Sequence, residues 1–259
     1  MIYIKYLNMH IKSLSQYRAS LWMMIAGQFF ISFFAFAGIY LLFERFGSID
    51  GWTFGEVALC FAVVQTAFAI TECFARGFDM FQRMIINGDF DRVLLRPRST
   101  LSQVLGSDFE LSRVGRLAQS IFTLWLAASW LETSWSVAKI ITLIFMIFSG
   151  IFIFTGIFIL GATVCFFTVQ GLEIINIFTY GGREIAAYPL TIYSKWIMRF
   201  FTFIIPFACF NYMPLMFLVG KAGGNDALYM LTPLLGMLFI LPCIFVWRFG
   251  VRRYLSTGN

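Results

Sequence analysis

Residues 76–116 read RGFDMFQRMIINGDFDRVLLRPRSTLSQVLGSDFELSRVGR, the one long polar interval in a chain otherwise built mostly of apolar runs of membrane length. Seven of the nineteen Lys and Arg residues fall inside it. Phe78, Met80, Phe81, Met84 and Ile85 make a short apolar stripe at helical spacing that stops at Asn87-Gly88, a turn pair. Phe90, Leu94 and Leu95 then stand among Asp89, Asp91 and Arg92 until Arg96-Pro97-Arg98 breaks the segment. Ser99 or Thr100 is placed to cap a further helix carrying Leu101, Val104, Leu105 and Leu111. The expectation is a helix, turn, helix element with apolar side chains exposed between charges, the composition of a docking surface.

The rest of the chain explains what such an element would be attached to. Of 259 residues, 60% are hydrophobic and 12% charged, with thirty-three Phe and seven Trp. Soluble domains hold roughly 45–50% apolar and about 25% charged residues, so the sequence predicts an all-α integral membrane protein with one domain over 1–259. Six apolar runs account for the spans. They are Leu21–Phe43, about Thr53–Ala75, Leu117 to about Trp135, Ile140–Val169, Phe200–Val219 and Ala227–Trp247. Ala35-Phe36-Ala37 has the pattern of a leader cleavage site, but the apolar run continues to Phe43, so the first run reads as a retained span. Ahead of it, residues 2–18 place Tyr3, Ile4, Leu7, Ile11, Leu14 and Tyr17 on one helical face opposite Lys5, Lys12 and Gln16. That is the pattern of an amphipathic helix lying in the membrane interface over 1–19.

Charge distribution gives the topology. With six spans and residues 170–199 counted inside, sixteen of the nineteen basic residues gather on one side. Arg45, Lys139 and Lys221 are left on the other. By the positive-inside rule both termini and the 76–116 interval are cytoplasmic. The net charge of +6 is thereby explained without nucleic acid. Glu56 and Glu72, near the two ends of the second run, read as end-anchoring or partner-pairing groups. Five cysteines, an odd number without CxxC spacing, support neither a disulfide framework nor a metal site.

Several stretches together resemble a known family. They are Gly88-Asp89-Phe90-Asp91-Arg92-Val93-Leu94-Leu95-Arg96-Pro97, Tyr188-Pro189-Leu190-Thr191-Ile192-Tyr193, Ile205-Pro206 and Asn211-Tyr212-Met213-Pro214. In this order they resemble the ABC-2 type transporter permeases of bacteria, over nearly the whole chain. The resemblance implies a multi-pass subunit of the bacterial inner membrane that pairs with a second permease subunit, itself or a related chain, and with an ABC ATP-binding subunit dimer. It also implies an exporter whose segment between spans two and three couples to the ATPase, a role carried onto Asp89, Phe90, Asp91, Arg92, Leu94, Leu95, Arg96 and Pro97. The family further suggests a second reading of 170–219, in which 170–188 crosses the membrane and 189–219 folds back as a re-entrant hairpin. Three charges in so short a segment make that crossing costly, and hydropathy favours 170–199 inside with 200–219 spanning.

No G-x-x-x-x-G-K-[ST] sequence occurs, so ATP and Mg would be bound by the partner, no cofactor is expected in this chain, and it is not expected to be an enzyme. A secondary transporter or channel is the rival reading. It would keep ion ligands at mid-span, and the six runs carry no charge there.

Overall fold

A computed structural model describes residues 9, 17–131, 133–168 and 175–255. The expected interface helix over 1–19 lies almost wholly outside these residues. Within them the regular elements are helical, apart from an isolated antiparallel bridge between Ile49 and Trp52.

Helix α1 (Arg18–Phe46) is long and peripheral, while α2 (Phe54–Phe74) is the axis of the bundle, buried along nearly all its length. Thr53 and Glu56 start α2 with a capping box, the Glu56 carboxylate accepting the Thr53 backbone N–H at 2.9 Å. Small residues such as Ala58, Ala62, Ala67 and Ala69 let neighbouring helices approach it closely, as association in a bilayer requires. Four short helices follow: α3 (Arg76–Asp79), α4 (Phe81–Ile86), α5 (Asp89–Leu94) and α6 (Thr100–Leu105). The bundle resumes with α7 (Val114–Trp130) and α8 (Val137–Val164).

Beyond α8, a π-helical turn (Ile177–Gly181) runs into α9 (Gly182–Ala186). Next come α10 (Lys195–Phe203), a second π turn (Ala208–Tyr212) with α11 (Met213–Leu218), then α12 (Asp226–Leu238) and α13 (Ile240–Arg253). Four of these helical stretches are long and apolar enough to cross a bilayer: α1, α2, α8 and the 28-residue run of α12 with α13. At seventeen residues α7 is shorter, yet it packs along α2 and α1 as part of the same bundle.

Of the two readings of 170–219, the one that hydropathy favours does not match the geometry in two respects. The apolar run 200–219 is not one helix: α10 and the 208–218 stretch meet at 89°. Pro206 explains the break, because it has no N–H to give and disfavours helical geometry at Ile205. Nor does the described part of 170–199 sit at one end of the bundle. Tyr180 contacts Arg76, Ala186 accepts a hydrogen bond from Asn211 at the level of Cys60, and Thr191 accepts one from Trp52 Nε1 at 2.9 Å. Residues 180–191 therefore run antiparallel beside α2 from its Arg76 end to its Trp52 end. The hairpin of α10 and α11 then dips inward until Phe210 touches the Gly150 and Ala67 level, and climbs back to Leu218, whose carbonyl accepts from Thr133. Hydropathy does not show this, because Arg183 and Glu184 lie in the segment beside α2 while the more apolar stretch forms the bent pair.

These contacts divide the molecule into two ends. Arg113 and Arg116 reach Gln28 near the start of α1, and Trp247 near the end of α13 donates to Thr100. The starts of α1 and α7, the end of α13 and the 76–116 interval thus share one basic end. At the opposite end, Lys221 pairs with Glu56 at 2.8 Å and lies 4.6 Å from the centroid of the Trp52 ring. Beside that pair, Thr53, Phe54, Gly55, Glu56, Trp130, Leu131, Thr133 and Val219 line a cavity of about 500 Å³.

Candidate functional site at the basic end

Three structures built from 76–116 and its neighbours make up the basic end. The first is a buried charge cluster. Glu72, fully buried near the end of α2, faces Arg116 through Oε2, while Arg113 Nε and Arg76 Nη1 stand 3.5 and 3.7 Å from its Oε1. Gln28 accepts from both Arg113 (2.7 Å) and Arg116 (3.0 Å), tying α1 to the same group. Arg76 turns on to Asp79 and to the Tyr180 hydroxyl, which donates to Asp79 at 3.2 Å. Burial pushes the Asp79 carboxyl above its ordinary value, against the pull of Arg76 and of the Tyr180 hydrogen bond. Beside this cluster Arg76, Asp79, Met80, Gln82, Arg83, Asn176 and Tyr180 line a cavity of about 240 Å³. Glu72 is thus a partner-pairing group, one of the two roles its place near the end of the run suggests; its partners are not named by the sequence reading, although Glu72, Arg76 and Asp79 recur at helical steps of four and three and Arg113 and Arg116 at a step of three.

The second structure is an aromatic joint. Phe90 packs edge-on against Phe81 (5.1 Å) and Tyr254 (5.0 Å), with Phe166 at 5.3 Å. Trp247 packs on Phe78, Phe81 and Phe166 at 5.1–5.4 Å. The short helices α3, α4 and α5 are thereby pinned to the ends of α8 and α13. Gly77 permits the approach of α6 at the same place, since a Cβ there would stand 1.9 Å from the Val104 carbonyl oxygen.

The third is the exposed tip. Asn87-Gly88 forms the expected turn, with Gly88 at φ +71° starting α5. Of the residues carried over from the family motif, Asp89 is half-exposed and 3.4 Å from the Arg92 guanidinium, and Asp91 is half-buried. Arg92, Leu94, Arg96 and Pro97 are exposed, and Leu95 is 85% exposed. Phe90 differs from the expectation of exposed apolar side chains: it is fully buried. Phe78, Phe81 and Ile85 are buried too, so the stripe before the turn packs on the bundle instead of facing solvent. On the surface stand Ile86, just before the turn, and a Leu94-Leu95 pair bracketed by Arg92, Arg96 and Arg98, on a support fixed by aromatic packing.

A model of the ABC-2 family transporter proteins matches residues 29–258. The chain belongs to this family. The match covers all six apolar runs except the start of the first, together with the whole basic end. It makes the chain a membrane transport component, the permease part of an ABC transporter. No curated protein and no solved structure matches it.

Proposed function

We propose that the chain is the permease subunit of an ATP-driven exporter and works as a dimer, with itself or a related chain. ABC ATP-binding subunits would press on the tip formed by Asp89, Asp91, Arg92, Leu94, Leu95, Arg96 and Pro97. The observation that carries this reading is the pairing of an exposed Leu94-Leu95 tip with the buried Phe90 directly behind it. Phe90 serves as the pin of the element and not as a contact. A force on α5 would pass through Phe90 and Trp247 into α8 and α13, and through the Glu72 arginine cluster into α2, α7 and α1, a rigid-body coupling between two sites.

Six crossings fit this reading: α1, α2, α7, α8, the 175–192 segment, and α12 with α13. The α10 and α11 hairpin re-enters from outside. Moving Arg183, Lys195 and Arg199 out of the cytoplasmic group lowers it from sixteen basic residues to thirteen of nineteen, still a strong inside bias. Both termini then face the cytoplasm of a bacterial inner membrane, and ATP with Mg belongs to the partner.

The test is to purify the chain with its stoichiometric partners under mild detergent and to measure ATP hydrolysis after reconstitution with Leu95→Asp. Loss of ATPase association or of its stimulation is expected. A working complex without any ATPase would end the proposal.

A further inference from the structure

The cavity of about 240 Å³ beside the charge cluster has no part in the coupling reading. Residues of α3 and α4 form one wall and Asn176 and Tyr180 the other. All its lining residues except Met80 carry hydrogen-bonding side chains, so a polar ligand is the one it can hold. Of the charges on its wall, Asp79 is already answered: Arg76 pairs with its Oδ2, and the Tyr180 hydroxyl donates to the same oxygen at 3.2 Å. Arg83 is not. Its exposed guanidinium makes no ion pair or side-chain hydrogen bond among the described residues, and the same holds for the side-chain amide of Asn176 across the cavity. Arg76 is buried, and its Nε also lacks a hydrogen-bond partner. Behind the cavity Arg113 and Arg116 meet Glu72, so positive charge is in surplus here.

Guanidinium and amide N–H groups converging on a small space with surplus positive charge meet the requirements of phosphate oxygens. Volume limits the ligand's size. Drug-sized molecules occupy roughly 300–1,000 Å³, so this space accommodates a single phosphate group. Its surroundings indicate the source. The cavity lies just past the end of α2, a helix long and apolar enough to cross a bilayer, and thus at headgroup depth. Phe74, two residues before Arg76, and Ile177, next to Asn176, are exposed apolar side chains of the kind that acyl chains cover.

We propose that this cavity receives the phosphate of an anionic phospholipid from the leaflet at the basic end, held by Arg83, Arg76 and the Asn176 amide. Since α3 and α4 support the exposed tip, a bound headgroup fastens that support to the segment that begins at Asn176. The proposal stands whether or not an ATPase docks on Leu94-Leu95.

The experiment takes the full-length chain with its partners in mild detergent, and native mass spectrometry counts the dioleoyl phosphatidylglycerol retained as that lipid is titrated. Arg83→Gln should weaken binding about tenfold, and Arg83→Lys should recover part of the loss. Asn176→Ala, on the opposite wall, should weaken it as well. Arg252→Gln, which removes an exposed arginine near the end of α13, should leave it unchanged. Unchanged binding in both Arg83→Gln and Asn176→Ala would overturn the site, and so would equal losses at positions 83 and 252, the mark of a general attraction to the basic end. Phosphatidylcholine has the same phosphate without net charge and should bind at least ~10-fold more weakly; equal binding would overturn the selectivity for an anion. Inorganic phosphate tests the other source. If it displaces the lipid at equal concentration in an Arg83-dependent way, the cavity is a site for free phosphate and the lipid assignment fails. Lipid retention requires no ATP, so failure of nucleotide-driven transport is read separately from failure of this site.

Discussion

Arg116 on α7 and Glu72 on α2, forty-four positions apart in sequence, meet as a buried ion pair in which the carboxylate has no exposed surface. Arg113 and, at 3.7 Å, Arg76 also face that carboxylate, and Arg76 is shared with Asp79, so the charges gather where α2, α3 and α7 converge. Removing one partner of the pair leaves uncompensated charge in a dry site, which costs about 3–5 kcal/mol. Glu72→Gln and Arg116→Gln, each alone, should therefore lower the thermal midpoint in detergent sharply. Glu72→Gln with Arg116→Gln should recover part of the loss, because the unpaired charge at position 116 goes with its partner. A double-mutant cycle of thermal midpoints checks this, and strictly additive losses would show that the two side chains do not act as a pair.

Gly115 sets how closely α7 approaches α1. A Cβ there would stand 1.9 Å from the Ile25 carbonyl oxygen and 3.1 Å from the Phe29 nitrogen, both backbone atoms that cannot swing aside. Gly115→Ala should push the helices apart at a cost of roughly 1–3 kcal/mol, and Gly115→Val by more. Because Gln28 lies on the displaced stretch of α1, its bonds to Arg113 and Arg116 should loosen as well. The yield of monodisperse protein and its midpoint are the measurements, and a Gly115→Val chain as stable as the parent would contradict this packing.

Phe90 and Leu95 sit five residues apart and should respond oppositely to substitution. Truncating the fully buried Phe90 to Ala opens a cavity among Phe81, Phe166, Trp247 and Tyr254, costing about 3–5 kcal/mol. Changing the exposed Leu95 to Asp should leave stability within about 0.5 kcal/mol but remove stimulation of the partner ATPase. Measuring midpoint and ATPase rate on both variants separates a structural role from a contact role. A Leu95→Asp complex that hydrolyses ATP at the parent rate would take the docking surface away from this tip.

The contrast between Phe90 and Leu95 also marks the limit of what the sequence made legible. Apolar runs located the bundle, since length and the absence of charge are properties of a single segment. The turn at Asn87-Gly88 was legible for the same reason, because Gly88 meets the demand for positive φ locally. Which of Phe90, Leu94 and Leu95 turns inward depends on Trp247 and Phe166, more than seventy residues away, and no spacing rule carries that information. Glu72 belongs to the same class: its partners on α7 become neighbours only when α2 and α7 pack. The hairpin was hidden for a different reason. Its residues are more apolar than those of the segment beside α2, so average hydropathy favours the bent stretch as a single helix, and Pro206 is the local sign that the run is broken.

The hairpin and the crossing segment lead to a topology test. Lys195 stands four residues after Thr191, which hydrogen-bonds to Trp52 at the end of the bundle where Lys221 pairs with Glu56. Arg92 lies at the other end, on α5. Single cysteines at these exposed positions should sort by end: Lys195→Cys and Lys221→Cys should react with an impermeant thiol reagent in intact cells, and Arg92→Cys only after the membrane is opened. The arrangement with 170–199 inside and 200–219 spanning would instead group Lys195 with Arg92. The position of Lys195 therefore decides between the two arrangements of 170–219, with the other two sites as fixed references. Labelling of Lys195→Cys only in opened cells would place the crossing segment inside after all.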